Sequence, residues 1–143
     1  MSKSLLLSLL LASLASAAAD EPEPANGAAE KTMAQAEKAY GEKNYHRALM
    51  LYLKLAEDGN AEAMAEVGGM YADGNGVAQD YAKAKKWYEL AFANGNRYYD
   101  LMGELYEKGG PGLAKDLDMA CASYKKAGPI WHHEAERTCL DNN

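Results

Sequence analysis

The chain has 143 residues, of which 48% are hydrophobic, enough for one modest core. Its 15 basic residues face 21 acidic ones, a formal charge of -6 with the histidines neutral. Such a surface is repelled by nucleic acid and by anionic lipid, and it leaves a basic protein as the partner that charge favours.

Met1 to Lys3 carries one positive charge, and Leu5 to Leu14 is a short leucine-rich run. Ala15-Ser16-Ala17 and Ala17-Ala18-Ala19 follow as small-residue triplets. That order is the pattern of a secretory signal peptide over 1–19, cleaved after Ala17 or Ala19; the apolar run is too short for a permanent membrane span. No cysteine follows either point, so no membrane anchor is expected after cleavage. The chain is expected in the periplasm or outside the cell. Residues 20–29, DEPEPANGAA, combine prolines, a glycine and acids and read as a flexible linker. The folded domain is expected over 30–140.

Within that domain the pattern repeats. The unit from Ala61 to Gly95, shifted by thirty-six, puts Gly76 on Gly112, Asp80 on Asp116, Ala84 on Ala120 and Tyr88 on Tyr124. Its front half matches at thirty-five, with Gly68 on Gly103, Tyr71 on Tyr106 and Gly74 on Gly109. One extra residue therefore sits within Gly109 to Gly112. Shifted backward by thirty-six, Tyr81 falls on Tyr45, Ala84 on Ala48 and Tyr88 on Tyr52. This first copy lacks the glycine loop and reads as a plain helix pair with a tight turn at Gly41 to Asn44. A period of this length is the signature of stacked helix pairs.

Each unit reads as two antiparallel helices. In the middle unit Ala65 to Tyr71 is the first, stopped by Gly74 and Gly76, and Asp80 caps the second, Tyr81 to Ala93. Ala84, Trp87, Tyr88 and Ala91 form one stripe of that second helix. Gly68, Gly103, Ala84 and Ala120 let helices approach closely, with Tyr88 and Tyr124 filling between units. The units are expected at about 30–59, 60–95 and 96–128. After Gly128-Pro129, Ile130 to Leu140 reads as a cap over 129–140.

The run Val67-Gly68, Tyr71, Gly74, Gly76-Val77, Asp80-Tyr81, Ala84, Trp87-Tyr88, Ala91 and Gly95 resembles the Sel1-like repeat, a relative of the tetratricopeptide repeat. The third unit matches at Met102-Gly103, Tyr106, Gly109, Gly112-Leu113, Asp116, Ala120, Tyr124 and Ala127. It departs at Ser123, where a large residue is usual, and at Tyr98, where a small one is. The resemblance implies an all-α fold, a short right-handed α-solenoid of antiparallel helix pairs. It also implies a scaffold or adaptor role. Secreted bacterial members of the family include cysteine-rich proteins with disulfides bridging helices, and others look like periplasmic immunity proteins that neutralise exported lipases or hydrolases.

Cys121 and Cys139 are the two cysteines of an exported chain, one in the third unit's second helix and one in the cap. They are expected to form a disulfide, with a pair of buried thiols as the alternative. The inner curve of a helical solenoid is its commonest binding surface. Helical phase places Glu62, Glu66, Gly69, Arg97, Leu101, Glu104 and Lys108 there. Tyr98 and Tyr99 point about 100 degrees apart, so at least one should reach solvent as an interface ring. Trp87 is expected to pack; Trp131 either clamps the cap or exposes an aromatic patch.

Reactive constellations are lacking. His132, His133, Glu136 and Cys139 fall short of a structural zinc set, so no metal ligand is expected. Asp80 and Asp116 recur at repeat spacing and read as caps, not as an acid–base pair. Ser123 has no nucleophile elbow, and Gly74 to Gly76 and Gly109 to Gly112 lack the following lysine of a phosphate loop. No catalytic residue and no cofactor is expected. The sequence points to a non-enzymatic protein-binding module, monomeric when free. The sharpest role is an immunity protein inhibiting a basic secreted toxin or envelope hydrolase. The alternatives are a periplasmic scaffold or adaptor for an envelope complex and, less favoured, a cell-wall or lactam hydrolase.

Overall fold

A computed structural model describes the backbone of residues 25–140 and the side chains of 27–130 and 136–140. The signal segment, the first half of the linker and the Trp131 side chain lie outside the described residues. The described chain is an all-α solenoid of paired antiparallel helices. The helices are α1 (Ala25–Gly41), α2 (Tyr45–Glu57), α3 (Ala61–Asp73), α4 (Tyr81–Ala93), α5 (Tyr99–Lys108), α6 (Leu117–Ala127) and α7 (His132–Leu140). A 3-10 turn, Pro129–Trp131, introduces the last. The contacts divide the chain into a unit ending at Glu30 and a compact unit from Lys31 onward.

Helix α1 begins five residues before the expected start of the folded domain, so the second half of the expected linker is helical. Ala25, Ala28 and Ala29 have the highest helix propensity, and proline directly before a helix is compatible with its first turn. The expected tight turn holds: α1 ends at Gly41 and α2 starts at Tyr45.

Asparagines and aspartates start the second-unit helices. Asn60 Oδ1 accepts from the Ala63 N–H at 2.9 Å, and Asp80 Oδ1 accepts from the Lys83 N–H at 2.9 Å. Gly74 ends α3 in the left-handed conformation, φ 74, and its N–H donates to the Met70 carbonyl. Helix α3 is longer than the expected Ala65 to Tyr71, because the Asn60 cap starts it four residues earlier. The glycine loops of both later units are pinned alike. The Asp80 N–H donates to the Tyr71 carbonyl and the Asp116 N–H to the Tyr106 carbonyl, each at 2.9 Å.

Close approach is what the small residues provide. Gly68 lies on the Tyr88 ring, and a Cβ there would stand 2.5 Å from Tyr88 Cε1. Gly103 repeats this on Tyr124, with 2.6 Å to Cε1. Ala84 and Ala120 are fully buried beside them. One core continues through both units, joining Tyr81, Tyr88, Met102, Leu105, Tyr106 and Tyr124. Neighbouring units are also tied by polar contacts. Asn75 Nδ2 donates to the Tyr40 hydroxyl at 2.8 Å, and the Tyr81 N–H donates to the Pro111 carbonyl at 2.7 Å.

Trp87, expected in the packed stripe, is half-buried. Ser123, its counterpart, is buried and donates to the Met119 carbonyl at 2.8 Å, the back-bond that lets a hydroxyl sit inside a helix interface. The cap is fastened twice. Cys121 and Cys139 are disulfide-bonded with Cα atoms 5.3 Å apart. Arg137 also donates to Glu107 at 2.9 Å, and the same carboxylate accepts from the Tyr124 hydroxyl at 2.8 Å.

Candidate functional site

Helix periodicity places every fourth residue of α3 and α5 on one face. Gly69 and Asp73 on α3 and Leu101, Glu104 and Lys108 on α5 face each other across a cleft of about 160 Å³. The Tyr81 and Tyr88 rings line it from α4. Drug-sized ligand pockets run to roughly 300–1,000 Å³. This cleft has room for one side chain, with an apolar floor and a charged rim.

The rim is mostly acidic. Lys108 donates to Glu104 at 3.2 Å, an exposed pair one helical turn apart. Burial pushes the Asp100 carboxyl above its ordinary value, and Glu104 adds to it. Burial also pushes the Tyr88 hydroxyl well up, with Asp73, Glu104, Glu66 and Asp100 contributing. Those four carboxylates therefore bear on one phenol from two helices. The field continues toward α1. Glu66 keeps solvent contact but sits among many protein atoms, so desolvation raises its carboxyl, and Glu62 and Glu37 raise it further. Tyr52 is pushed up to about 12, by burial first and then by Glu66 and Glu37. Such groups favour a cation that would relieve their mutual repulsion.

The expected binding residues do not all come together. Gly69, Leu101, Glu104 and Lys108 come together in the cleft; Glu62 and Glu66 stand outside its lining, and of the two Glu66 bears on the Tyr88 phenol. Arg97 does not join them. It was expected on the inner curve, but α5 starts only at Tyr99, so Arg97 lies in the preceding turn and lines a different notch. Tyr98 is the exposed ring of the pair, at 52%, while Tyr99 lies half-buried against Phe92 with ring centroids 4.7 Å apart. The Trp131 side chain is outside the described residues.

Sequence reasoning missed Glu37, Asp73 and Asp100. Asp73 follows Gly69 by four residues and Asp100 precedes Glu104 by four, so the face chosen already implied them. Glu37 carried no such signal, because the register of the degenerate first unit against the second was not readable. Among the described residues no group of three His, Cys, Asp or Glu side chains could hold a metal ion, and no helix is long and apolar enough to cross a membrane.

Comparisons with known proteins agree with this geometry. The pattern of the Sel1 repeat matches residues 36–60, 61–96 and 99–128. The chain is similar to the human protein sel-1 homolog 2, 43% identical over 91 residues, which cover 60% of this chain and 13% of that protein. It is also similar to the crystal structure of c5321, a protective antigen present in uropathogenic Escherichia coli strains displaying an SLR fold. There the identity is 31% and the TM-score 0.62, over 74% of this chain and 24% of that one. The chain thus spans less than a quarter of the length of either relative.

Proposed function

The chain belongs to the Sel1 repeat family, and on that premise we propose that it is a non-enzymatic protein-binding module of the cell envelope that inhibits a basic secreted toxin or hydrolase. One observation carries the reading: carboxylates on α3 and α5 converge around an apolar-floored cleft sized for one side chain. A lysine or arginine of a partner fits such a cleft, with its aliphatic stem on the Tyr81 and Tyr88 rings and its charge among Asp73, Glu104 and Asp100. The exposed Tyr98 ring adds contact area with a polar tip. The family's use as a non-catalytic interaction module supports the non-enzymatic part. Export rests on the N-terminal signal pattern.

The test is inhibition. The mature chain, disulfide intact, is mixed with basic hydrolases secreted into the same compartment, and their activity is followed. Stoichiometric loss of one activity, relieved by Leu101→Arg, is expected. Tight binding that leaves every activity unchanged would replace inhibition with an adaptor role.

A further inference from the structure

The turn before α5 departs from its counterpart before α3 in both backbone and side chains. Asn60 and Asn96 are equivalent at a shift of thirty-six. Asn60 caps α3, which starts at the next residue. Asn96 instead accepts from the Tyr98 N–H at 2.8 Å, the Tyr99 N–H donates to the Arg97 carbonyl at 2.8 Å, and α5 starts only at Tyr99. The first turn of the third unit is therefore unwound.

The unwound turn opens a notch of about 430 Å³. Its walls are Phe92 and Tyr99, stacked at 4.7 Å with a 40° tilt, and the side chains of Arg97 and Lys126. Gly95 and Ala127 leave its floor clear. The positions equivalent to Phe92, Arg97, Tyr99 and Lys126 one repeat earlier are Ala56, Glu62, Met64 and Leu90, at thirty-five for the two front-half residues and thirty-six for the others. Neither a cation nor a ring stands at that earlier junction, so the repeat fold does not require them. Arg97 and Lys126 are both exposed, and neither has an ion-pair partner among the described residues. No carboxylate among the described residues lines the notch. In a chain of charge -6, two unpaired cations beside a pair of rings form a local inversion of the field.

We propose that this notch is a second binding site, for a carboxylate carried on an aromatic body. The Arg97 guanidinium presents a planar fork that matches a carboxylate, and Lys126 adds a point charge. Phe92 and Tyr99 supply the apolar wall against which a flat group stacks. The volume falls within the range of small-ligand pockets. The notch shares no lining residue with the acidic cleft, so this site stands or falls independently of the inhibitor reading.

The test is an NMR titration of the mature chain, disulfide intact. The probes are N-acetyl-phenylalanine, its C-terminal amide, and a tetrapeptide ending in phenylalanine with a free carboxylate. Saturable shifts are expected at residues 92–99 and 126–127 for the acids, with the amide weaker by about tenfold or more. The Arg97→Gln/Lys126→Gln variant should lose the acids by a similar factor, with Lys86→Gln as the unaffected control and circular dichroism as the check of folding. Binding of the single acid alone assigns the site to a small ligand, and tighter binding of the tetrapeptide assigns it to a chain terminus. Equal binding of acid and amide, shifts confined to 101–108, or no saturable shift with any probe would overturn the proposal.

Discussion

The second and third units solve the same packing problem with the same residues, and then diverge at their outer edges. Gly68 on Tyr88 and Gly103 on Tyr124 are near copies, as are the Asp80 and Asp116 loop pins. Around them little is shared. The third unit has an unwound entry, a buried serine where the second has a half-buried tryptophan, and a fastened cap beyond it. The difference teaches that glycine–ring contacts and loop pins define the repeat, whereas positions free of that duty carry whatever distinguishes this chain.

Breaking the cap tests the most asymmetric feature. Replacing Cys121 and Cys139 by serine should cost roughly 2–4 kcal/mol, the range set by the loop entropy that a disulfide removes from the unfolded chain. The loss should appear first as faster hydrogen exchange over 129–140, with 61–93 holding its protection. A reduced sample that loses neither helix nor stability would refute the fastening role. Next come the copies: Gly68→Ala and Gly103→Ala each force a methyl into a buried tyrosine ring, and each should cost about 1–3 kcal/mol by denaturant unfolding. Unequal costs would show that one unit yields where the other cannot.

Smaller effects sharpen the contrast. The Tyr124 hydroxyl donates to Glu107, itself held by Arg137, while the Tyr88 hydroxyl is pushed up by burial first and then by the carboxylates around it. Tyr124→Phe should therefore cost about 1.5 kcal/mol, the scale of a hydrogen bond to a charged group, and Tyr88→Phe less than about half of that. Least of all is Glu66→Gln. Glu66's carboxyl is held above its ordinary value by burial, Glu62 and Glu37, so the folded chain binds that proton more tightly than the unfolded chain does. Its charge then opposes folding at neutral pH. Relief comes as pH falls through the raised value and is complete below the ordinary carboxylate range. Glu66→Gln should stabilise the chain at neutral pH by no more than about 0.5 kcal/mol, since the group stays solvent-screened, and should flatten this part of the pH profile.

The repeat was legible because its positions recur at fixed spacing: Tyr88, Tyr124, Asp80 and Asp116 are where periodicity puts them, and the second helix of the middle unit has the expected ends. Entry turns were not legible, because a start depends on a single cap. Asn60 lengthened α3 beyond the apolar run, and Asn96, bonded to Tyr98 instead, shortened α5 and carried Arg97 off the inner face. Half of the cleft was readable from helical phase on α3 and α5. The contribution of Glu37 depended on how α1 stacks, which no spacing in the degenerate first unit records.

The inhibitor reading depends on the acidic cleft being what the partner grips. The most direct measurement is parallel affinity capture from the native envelope with the mature chain and its Asp73→Asn/Glu104→Gln variant, with bound proteins quantified by mass spectrometry. The account predicts one basic secreted protein held stoichiometrically by the unaltered chain and lost by the variant. The same protein held equally by both, or no stoichiometric protein held by either, would contradict it.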